Sequence, residues 1–148
     1  MTDQGIELSV CSARPDVTNV VTRGAVRLVV ALGWAPLLEV GLPNGRRADV
    51  MALSPKGEFV IVEVKSGLED FKADAKWPEY QPFCDAFYFA VTPGFPTHLI
   101  PAEPGLIVAD GFGGAVVRDP HRTPLAPARR RSLMLTFARL AALRATAF

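Results

Sequence analysis

The sequence has little cysteine, little histidine and no long apolar run. Its 148 residues include two cysteines and two histidines. Cys11 and Cys84 are too few for a disulfide framework and lack metal-ligand spacing, so we expect reduced, incidental thiols. The longest apolar stretch without a charge is residues 28–38, whereas a membrane span needs about 20 residues. Without a signal peptide pattern at the N-terminus, these absences predict a cytoplasmic protein with no membrane partner.

Several common catalytic motifs are also absent. The sequence contains no nucleophile elbow, P-loop or dinucleotide fingerprint, and the glycines at 111–114 are typical of a turn. A formal net charge of +1 excludes a polycation and an acidic tail, while 49% hydrophobic and 21% charged residues are typical of a globular protein. The length predicts a single domain, 1–148, in which residues 1–15 form a loose lead-in.

Hydrophobic periodicity and turn residues predict an α/β domain. Residues 16–32 have helical spacing. Further along the chain we expect a second helix, a restart of this helix near Trp77 and Pro78, and a buried strand at 86–91. Three strands form an antiparallel meander and are separated by three-residue loops that end in glycine. The strands span residues 37–42, 47–53 and 59–65. The C-terminal third adds a small hairpin and a basic helix: 106–109, 115–118 and 128–145.

The third strand of the meander combines an apolar body with a charged end. Side chains alternate along a strand, so Glu63 and Lys65 share a face with Ile61, while valines line the other face. A strand that is apolar on both faces is central in its sheet. The sequence therefore places a carboxylate and an ammonium at the end of a buried strand.

The loops also predict the strand register. A three-residue loop at 55–57 pairs Ser54 with Glu58, and counting back places Asp49 opposite Glu63. The same rule for the loop at 43–45 places Glu39 opposite Asp49. If Asn44-Gly45 forms a two-residue turn instead, Val40 faces Asp49 and Glu39 points away.

Three carboxylates side by side need a compensating cation, because like charges directly opposite destabilise a sheet. A divalent metal with hard oxygen ligands provides one, and Lys65 beside it is suited to orient an attacking water or neutralise developing charge. The alternative is a set of ion pairs at the strand ends, Glu63 with Lys65 and Arg47 with Asp49. The alignment of Glu39 with the other acids favours the metal site.

The spacing of Asp49 and Glu63-Val64-Lys65, with 13 intervening residues, resembles the PD-(D/E)XK nuclease superfamily. More narrowly, the chain from about Val17 to Phe148 resembles the MmcB-like family of bacterial DNA repair proteins. Five segments carry this resemblance: Gly45-Arg46-Arg47-Ala48-Asp49, Glu63-Val64-Lys65-Ser66, Asp70-Phe71, Lys76-Trp77-Pro78-Glu79-Tyr80 and Cys84-Asp85.

The resemblance implies a restriction-endonuclease-like fold with a mixed central sheet, and phosphodiester hydrolysis dependent on Mg²⁺ or Mn²⁺. It makes Asp49 and Glu63 metal ligands, with the Val64 carbonyl as a third, and it makes Lys65 the catalytic lysine. Glu39 matches the extra acid that some superfamily members place before the aspartate.

The sequence departs from the superfamily pattern at two positions. Ala48 stands where proline commonly precedes the aspartate. Lys76 and Tyr80 are similar to the Gln-to-Tyr motif of RecB-like nucleases, with lysine in place of glutamine. The role of Tyr80 is therefore open between stacking on a DNA base and packing in the core.

Basic side chains, Lys76 among them, and the Tyr80 ring are the candidates for DNA contact. Arg46 and Arg47 either grip a phosphate or balance the acids. Arg129-Arg130-Arg131 begins the last helix, where positive charge opposes the helix dipole, so phosphate binding and a solvated face both remain open. The last 29 residues carry a charge of +6, and the preceding 119 carry −5. The near-neutral total thus combines an acidic body with a basic end.

Together these features predict a metal-dependent nuclease that acts on DNA in repair, with other DNA repair proteins as further candidate partners. The alternative is a non-catalytic DNA-binding or scaffolding module that retains the nuclease fold.

Overall fold

The computed structural model of the chain describes residues 13–73 and 76–147. Within these ranges the helices are α1 (Ala13–Ala31), α2 (Leu68–Ala73) and α3 (Pro127–Ala145), with 3₁₀ helices at Trp77–Phe83 and Thr97–Leu99. The strands are β1 (Ala35–Gly41), β2 (Arg47–Leu53), β3 (Phe59–Val64), β4 (Ala86–Val91), β5 (Gly105–Ala109) and β6 (Gly114–Arg118).

The strands form one mixed sheet in the order β1-β2-β3-β4-β5-β6. The first three strands pair antiparallel, β3, β4 and β5 run parallel, and β6 returns antiparallel to β5. The predicted α/β class, the meander and the second hairpin are confirmed. Because three strands run parallel, the carboxyl ends of β3, β4 and β5 meet at one edge of the sheet.

The two meander loops have the predicted three-residue form. Gly45 and Gly57 both have φ of +87°, the left-handed conformation that favours glycine at this loop position. The Leu42 N–H donates to the Arg46 carbonyl at 2.7 Å, and the Ser54 N–H donates to the Glu58 carbonyl at 2.9 Å. These bonds confirm the predicted register and exclude the two-residue turn.

The sheet is covered on both faces. On one face α1 packs against the valines of β3, with Val21, Ala25 and Val29 fully buried. On the other face α3 and the 3₁₀ helix Trp77–Phe83 form the larger core, where the Phe59 and Phe137 rings meet edge to face at 5.8 Å. Every residue of β3 and β4 is buried as a result.

The helix boundaries differ little from the sequence prediction. Helix α1 already includes Ala13, three residues before the predicted start. The expected restart near Pro78 is confirmed, since the 3₁₀ helix begins at Trp77 and has proline in its first turn, where a missing N–H costs little. Cys84 is buried and unpaired, whereas Cys11 and residues 1–12 of the lead-in lie outside the described residues. No helix among the described residues combines the length and apolarity needed to cross a membrane.

Candidate active site

A pair of carboxylates bridges β2 and β3 where their backbone pairing ends. The ladder runs as far as Val50 opposite Val62. Beyond it, the Asp49 N–H donates to Glu63 Oε2 at 2.8 Å, and the Val64 N–H donates to Asp49 Oδ2 at 2.8 Å. Each carboxylate therefore replaces a backbone acceptor of the neighbouring strand, which confirms that Asp49 lies opposite Glu63.

Burial makes this pair costly to ionise without a cation. Glu63 is only 5% exposed, and burial together with the Asp49 carboxylate raises its pKa to about 8. Burial also raises the pKa of Asp49, although the Val64 N–H, the Glu63 carboxyl and the Lys65 charge oppose the shift. At neutral pH the isolated pair holds a proton in place of one negative charge.

Lys65 lies beside the two acids at the end of β3. It is 7% exposed, and its Nζ lies 4.0 Å from Oδ1 of Asp70 in α2. Its charge lowers the pKa of both Asp49 and Glu63. The Lys65 N–H donates to the Ala90 carbonyl at 2.9 Å, which continues the β3–β4 pairing to this residue and fixes its backbone beside Glu63.

Glu39 does not join the pair, so the predicted row of three carboxylates is wrong. The register places Glu39 opposite Asp49, between the pairs Leu38–Val50 and Val40–Ala48. However, Glu39 has φ of +52° and is exposed, and this left-handed residue interrupts the side-chain alternation on which the prediction rested. Within residues 13–73 and 76–147, no group of three or more acidic, histidine or cysteine side chains is placed to hold a metal.

Two carboxylates nevertheless suit a hard divalent cation. Mg²⁺ is commonly bound by one or two carboxylates, with water and substrate phosphate completing the shell. Asp49 and Glu63 offer such oxygens, and because burial and the Asp49 carboxylate raise the pKa of Glu63, an added positive charge would favour its ionised form. The residues present therefore fit a magnesium or manganese ion.

Arg46 has an acidic partner outside the pair. Its Nε donates to Oε1 of Glu79 at 2.8 Å. Asn44 supports the same contact, because its Nδ2 donates to the Glu79 carbonyl and its Oδ1 accepts the Arg46 N–H. Arg46 thus joins the first meander loop to the 3₁₀ helix Trp77–Phe83, and a phosphate contact by this side chain would compete with that ion pair.

Tyr80 lies in the core and is 6% exposed. Its ring stacks on Phe87 with centroids 5.6 Å apart, and its hydroxyl donates to the Arg47 carbonyl at 3.3 Å. The ring is therefore closed to a DNA base, which corrects the prediction of DNA contact for Tyr80. The Arg47 and Lys76 side chains are exposed on the surface nearby, so DNA contact stays a prediction for them.

The arginine triplet of α3 divides into structural and exposed members. Arg130 forms a two-pronged bond with Asp85, at 2.8 and 2.7 Å, and also donates to the Gly57 carbonyl. Arg129 donates to the Pro82 carbonyl and lies 4.4 Å from the centroid of the Phe83 ring. These contacts give the charge a structural role that sequence reasoning missed, while Arg131 is exposed.

Asp85 is a buried acid that directly precedes β4, at the edge of the sheet away from the Asp49–Glu63 pair. It is 4% exposed and accepts hydrogen bonds from the Phe59 N–H, the Leu125 N–H and Arg130. Burial alone raises its pKa, but these donors outweigh burial and hold the pKa below the usual value. Its sequence context at the start of a strand carried no signal for this role, because all of its partners are distant along the chain.

Comparison with known proteins is consistent with the resemblance. The family model described as DNA repair protein MmcB-like matches residues 8–148. Among solved structures, a protein of unknown function from Silicibacter pomeroyi is 44% identical in sequence, with a TM-score of 0.83. The match covers 88% of this chain and 89% of that one. The search of curated proteins found no match.

Proposed function

Because the chain belongs to the MmcB-like family of DNA repair proteins, we propose that it is a metal-dependent DNA nuclease of the PD-(D/E)XK type. The supporting observation is the Asp49–Glu63 pair, in which Glu63 is buried and Asp49 half-buried, with the buried Lys65 beside it. Two acids that share a buried site at the end of a central strand are costly to the fold. A bound cation would offset the repulsion between the two carboxylates, and the adjacent lysine is suited to assist hydrolysis.

Each residue of this site has a distinct role in the proposed reaction. Asp49 and Glu63 hold the ion through carboxylate oxygens, with the Val64 carbonyl as a third ligand. When bound, Mg²⁺ or Mn²⁺ supplies Lewis-acid stabilisation of phosphoryl charge and lowers the pKa of a coordinated water. Lys65 donates a hydrogen bond that orients the attacking water and offsets negative charge developing on the phosphate.

The DNA backbone is held by positive charge outside the catalytic pair. Arg47 is exposed at the start of β2, two residues before Asp49, and Lys76 is exposed at the start of the neighbouring 3₁₀ helix. Contacts of this kind position a backbone without reading bases. We therefore propose that substrate choice follows the shape and strandedness of the DNA.

The test is a cleavage assay on single-stranded, nicked, flapped and branched DNA, with Mn²⁺ or with chelator. We expect cutting that requires the metal and is lost in Asp49→Ala and Lys65→Ala. Asp119→Ala and Lys56→Ala are matched controls, since both positions are exposed and follow the strand ends at the opposite edge of the sheet from the site. Binding without cutting on every substrate would instead favour a non-catalytic DNA-binding or scaffolding module.

A further inference from the structure

The tip of the β5–β6 hairpin presents an aromatic side chain to solvent. Phe112 is 85% exposed, the highest value among the exposed large hydrophobic residues of the described chain. The backbone of the tip is nevertheless ordered by hydrogen bonds. Asp110 Oδ1 accepts the Phe112 and Gly113 N–H groups at 2.8 and 3.1 Å, and the Asp110 N–H donates to the Gly113 carbonyl.

Helix α1 holds this tip in place. A Cβ at Gly24 would lie 1.9 Å from the Asp110 carbonyl oxygen and 2.7 Å from that of Gly113, so the helix and the tip approach as closely as glycine allows. Arg27 adds a hydrogen bond of 3.2 Å from Nη1 to the Phe112 carbonyl. The exposed ring is therefore carried on a fixed backbone, which lowers the entropy cost of using it as a binding platform.

An open apolar groove lies beside the Phe112 ring. It has a volume of about 540 Å³ and is lined by Phe112 together with Pro93, Val108, Ala115 and Val117. This space admits a flat ring system such as a nucleobase. A base that enters it would meet the Phe112 ring and aliphatic side chains.

Positive charge lies at the hairpin tip on the side of α1. Arg23 and Arg27 lie one turn apart on α1 and are both exposed. Arg23 approaches the tip, since a Cβ at Gly111 would lie 3.7 Å from its Nη1. The nearby Asp110 carboxylate is engaged by the tip amides, and the two arginines leave the tip with a net positive charge.

The groove and the carboxylate pair occupy the same edge and the same face of the sheet. Strands β3 and β5 run parallel through β4, so Lys65 and the tip both follow carboxyl ends of strands. Val108 packs against the core cluster that contains Ile61, the residue whose side chain precedes Glu63 on that face. Two strand spacings separate β3 from β5, roughly 10 Å, a distance that a few nucleotides span.

We propose that the β5–β6 tip is a binding subsite for single-stranded DNA, with Phe112 stacking on a base and Arg23 and Arg27 holding the adjacent backbone. This inference rests on the proposed nuclease function, whose substrate it specifies as single-stranded DNA or a single-stranded end. An exposed aromatic ring on an ordered backbone, beside cationic side chains, is the usual composition of such a site. An apolar patch for a protein or a membrane does not require the base-sized groove.

The test measures binding of a fluorescently labelled oligothymidylate by anisotropy, with chelator and, in the Lys65→Ala background, with Mn²⁺. We expect Phe112→Ala to weaken binding roughly five- to 150-fold, with Phe112→Trp retaining it. Leu143→Ala, which removes a side chain 61% exposed on α3, is the control and should bind like the parent. Arg23→Ala should reduce the slope of log K against log salt by about 0.7.

Two spectroscopic controls accompany the binding measurement. Circular dichroism and thermal unfolding should be unchanged in Phe112→Ala, because the ring contributes little burial. In Phe112→Trp, we expect the added tryptophan emission to be quenched by DNA beyond the change seen for the parent, which already contains Trp34 and Trp77.

Equal oligothymidylate affinity of Phe112→Ala and the parent under both conditions would overturn the proposal, and so would a failure of the parent to bind. Loss of vesicle or protein binding in Phe112→Ala, with DNA affinity unchanged, would also overturn it and assign the ring to another partner. The outcome is separable from that of the nuclease assay. Phe112-dependent binding without metal-dependent cutting would support this subsite and reject the nuclease. Metal-dependent cutting with Phe112-independent binding would support the nuclease and reject this subsite.

Discussion

Asp49 and Glu63 are joined reciprocally: the Asp49 N–H donates to the Glu63 carboxylate, and the Asp49 carboxylate accepts the N–H of Val64. The two acids thus close the end of the β2–β3 ladder while facing each other in a buried site. Neutral side chains such as asparagine and glutamine could accept the same two hydrogen bonds. Under the proposed function, the two carboxylates would in addition hold a cation.

Glu63 predicts an unusual dependence of stability on pH in the absence of metal. Its pKa rises from an ordinary 4.5 to about 8 on folding, so the native state binds more protons than the unfolded state between these values. The free energy of unfolding should therefore fall as pH rises from about 5 to 8, and the raised pKa of Asp49 acts in the same direction. Chemical denaturation across this range measures the effect, and Glu63→Gln should flatten the profile. A free energy of unfolding that rises over this range and is insensitive to Glu63→Gln would contradict the assignment.

Variants of Asp49 and Lys65 should separate metal binding from catalysis. Asp49→Asn should abolish Mn²⁺ binding as measured by calorimetry, because it removes a carboxylate ligand. Lys65→Ala should retain binding of the ion and lower the cleavage rate by about 10²–10³. Binding should also release protons near pH 7, since the ion replaces the proton on Glu63. Loss of metal affinity in Lys65→Ala would make the lysine a structural residue.

Substitutions at Glu39 should distinguish backbone strain at this residue from a role in binding the metal. Its φ of +52° is costly for any residue with a side chain, so Glu39→Gly should leave stability unchanged or raise it by up to about 1 kcal/mol. Glu39→Val should lower stability by about 1–2 kcal/mol, since β-branched residues fit this region worst. Urea unfolding provides both values. Reduced Mn²⁺ affinity in Glu39→Gly would instead return Glu39 to the metal shell.

Asp85 should be among the residues most important for stability. Asp85→Ala leaves Arg130 without its partner and removes the acceptor of two backbone N–H groups, so we expect a loss of about 3–5 kcal/mol. Arg130→Met should cost less, because its side chain is 30% exposed and Asp85 keeps both backbone donors. Equilibrium unfolding measures the difference. Equal losses would show that the ion pair alone carries the effect of Asp85.

At position 24 we expect glycine to give a more stable protein than alanine, the reverse of the usual preference in a helix. Alanine normally stabilises a helix interior by about 1 kcal/mol over glycine, but a Cβ here would collide with two carbonyl oxygens of the hairpin tip. We expect Gly24→Ala to lower stability by about 1–3 kcal/mol. Asn19→Ala, at an exposed position of the same helix, should be neutral or slightly stabilising. A stabilised Gly24→Ala would show that the tip moves away from α1 without cost.

Much of the site could be predicted because its register depends on local turn chemistry. Pro-X-Gly loops of three residues determine which strand positions pair, and Gly45 and Gly57 adopt the required left-handed backbone. Counting back along the strands then places Asp49 opposite Glu63. Counting also places Glu39 opposite Asp49, but its side chain does not join the pair, because one left-handed residue inside a strand interrupts the side-chain alternation and leaves no trace in the hydrophobic pattern.

The sequence by itself determined the α/β class, the meander and the pairing of Asp49 with Glu63, since the meander and this pairing depend on residues close together along the chain. Only the tertiary structure decided that Tyr80 is a core residue, that Arg130 pairs with Asp85, and that Phe112 remains exposed on a fixed tip. These outcomes depend on contacts between segments far apart in sequence: the Tyr80 hydroxyl with β2, α3 with Asp85, and α1 with the hairpin. No local pattern encodes which partner a buried charge or an aromatic ring meets when the layers close.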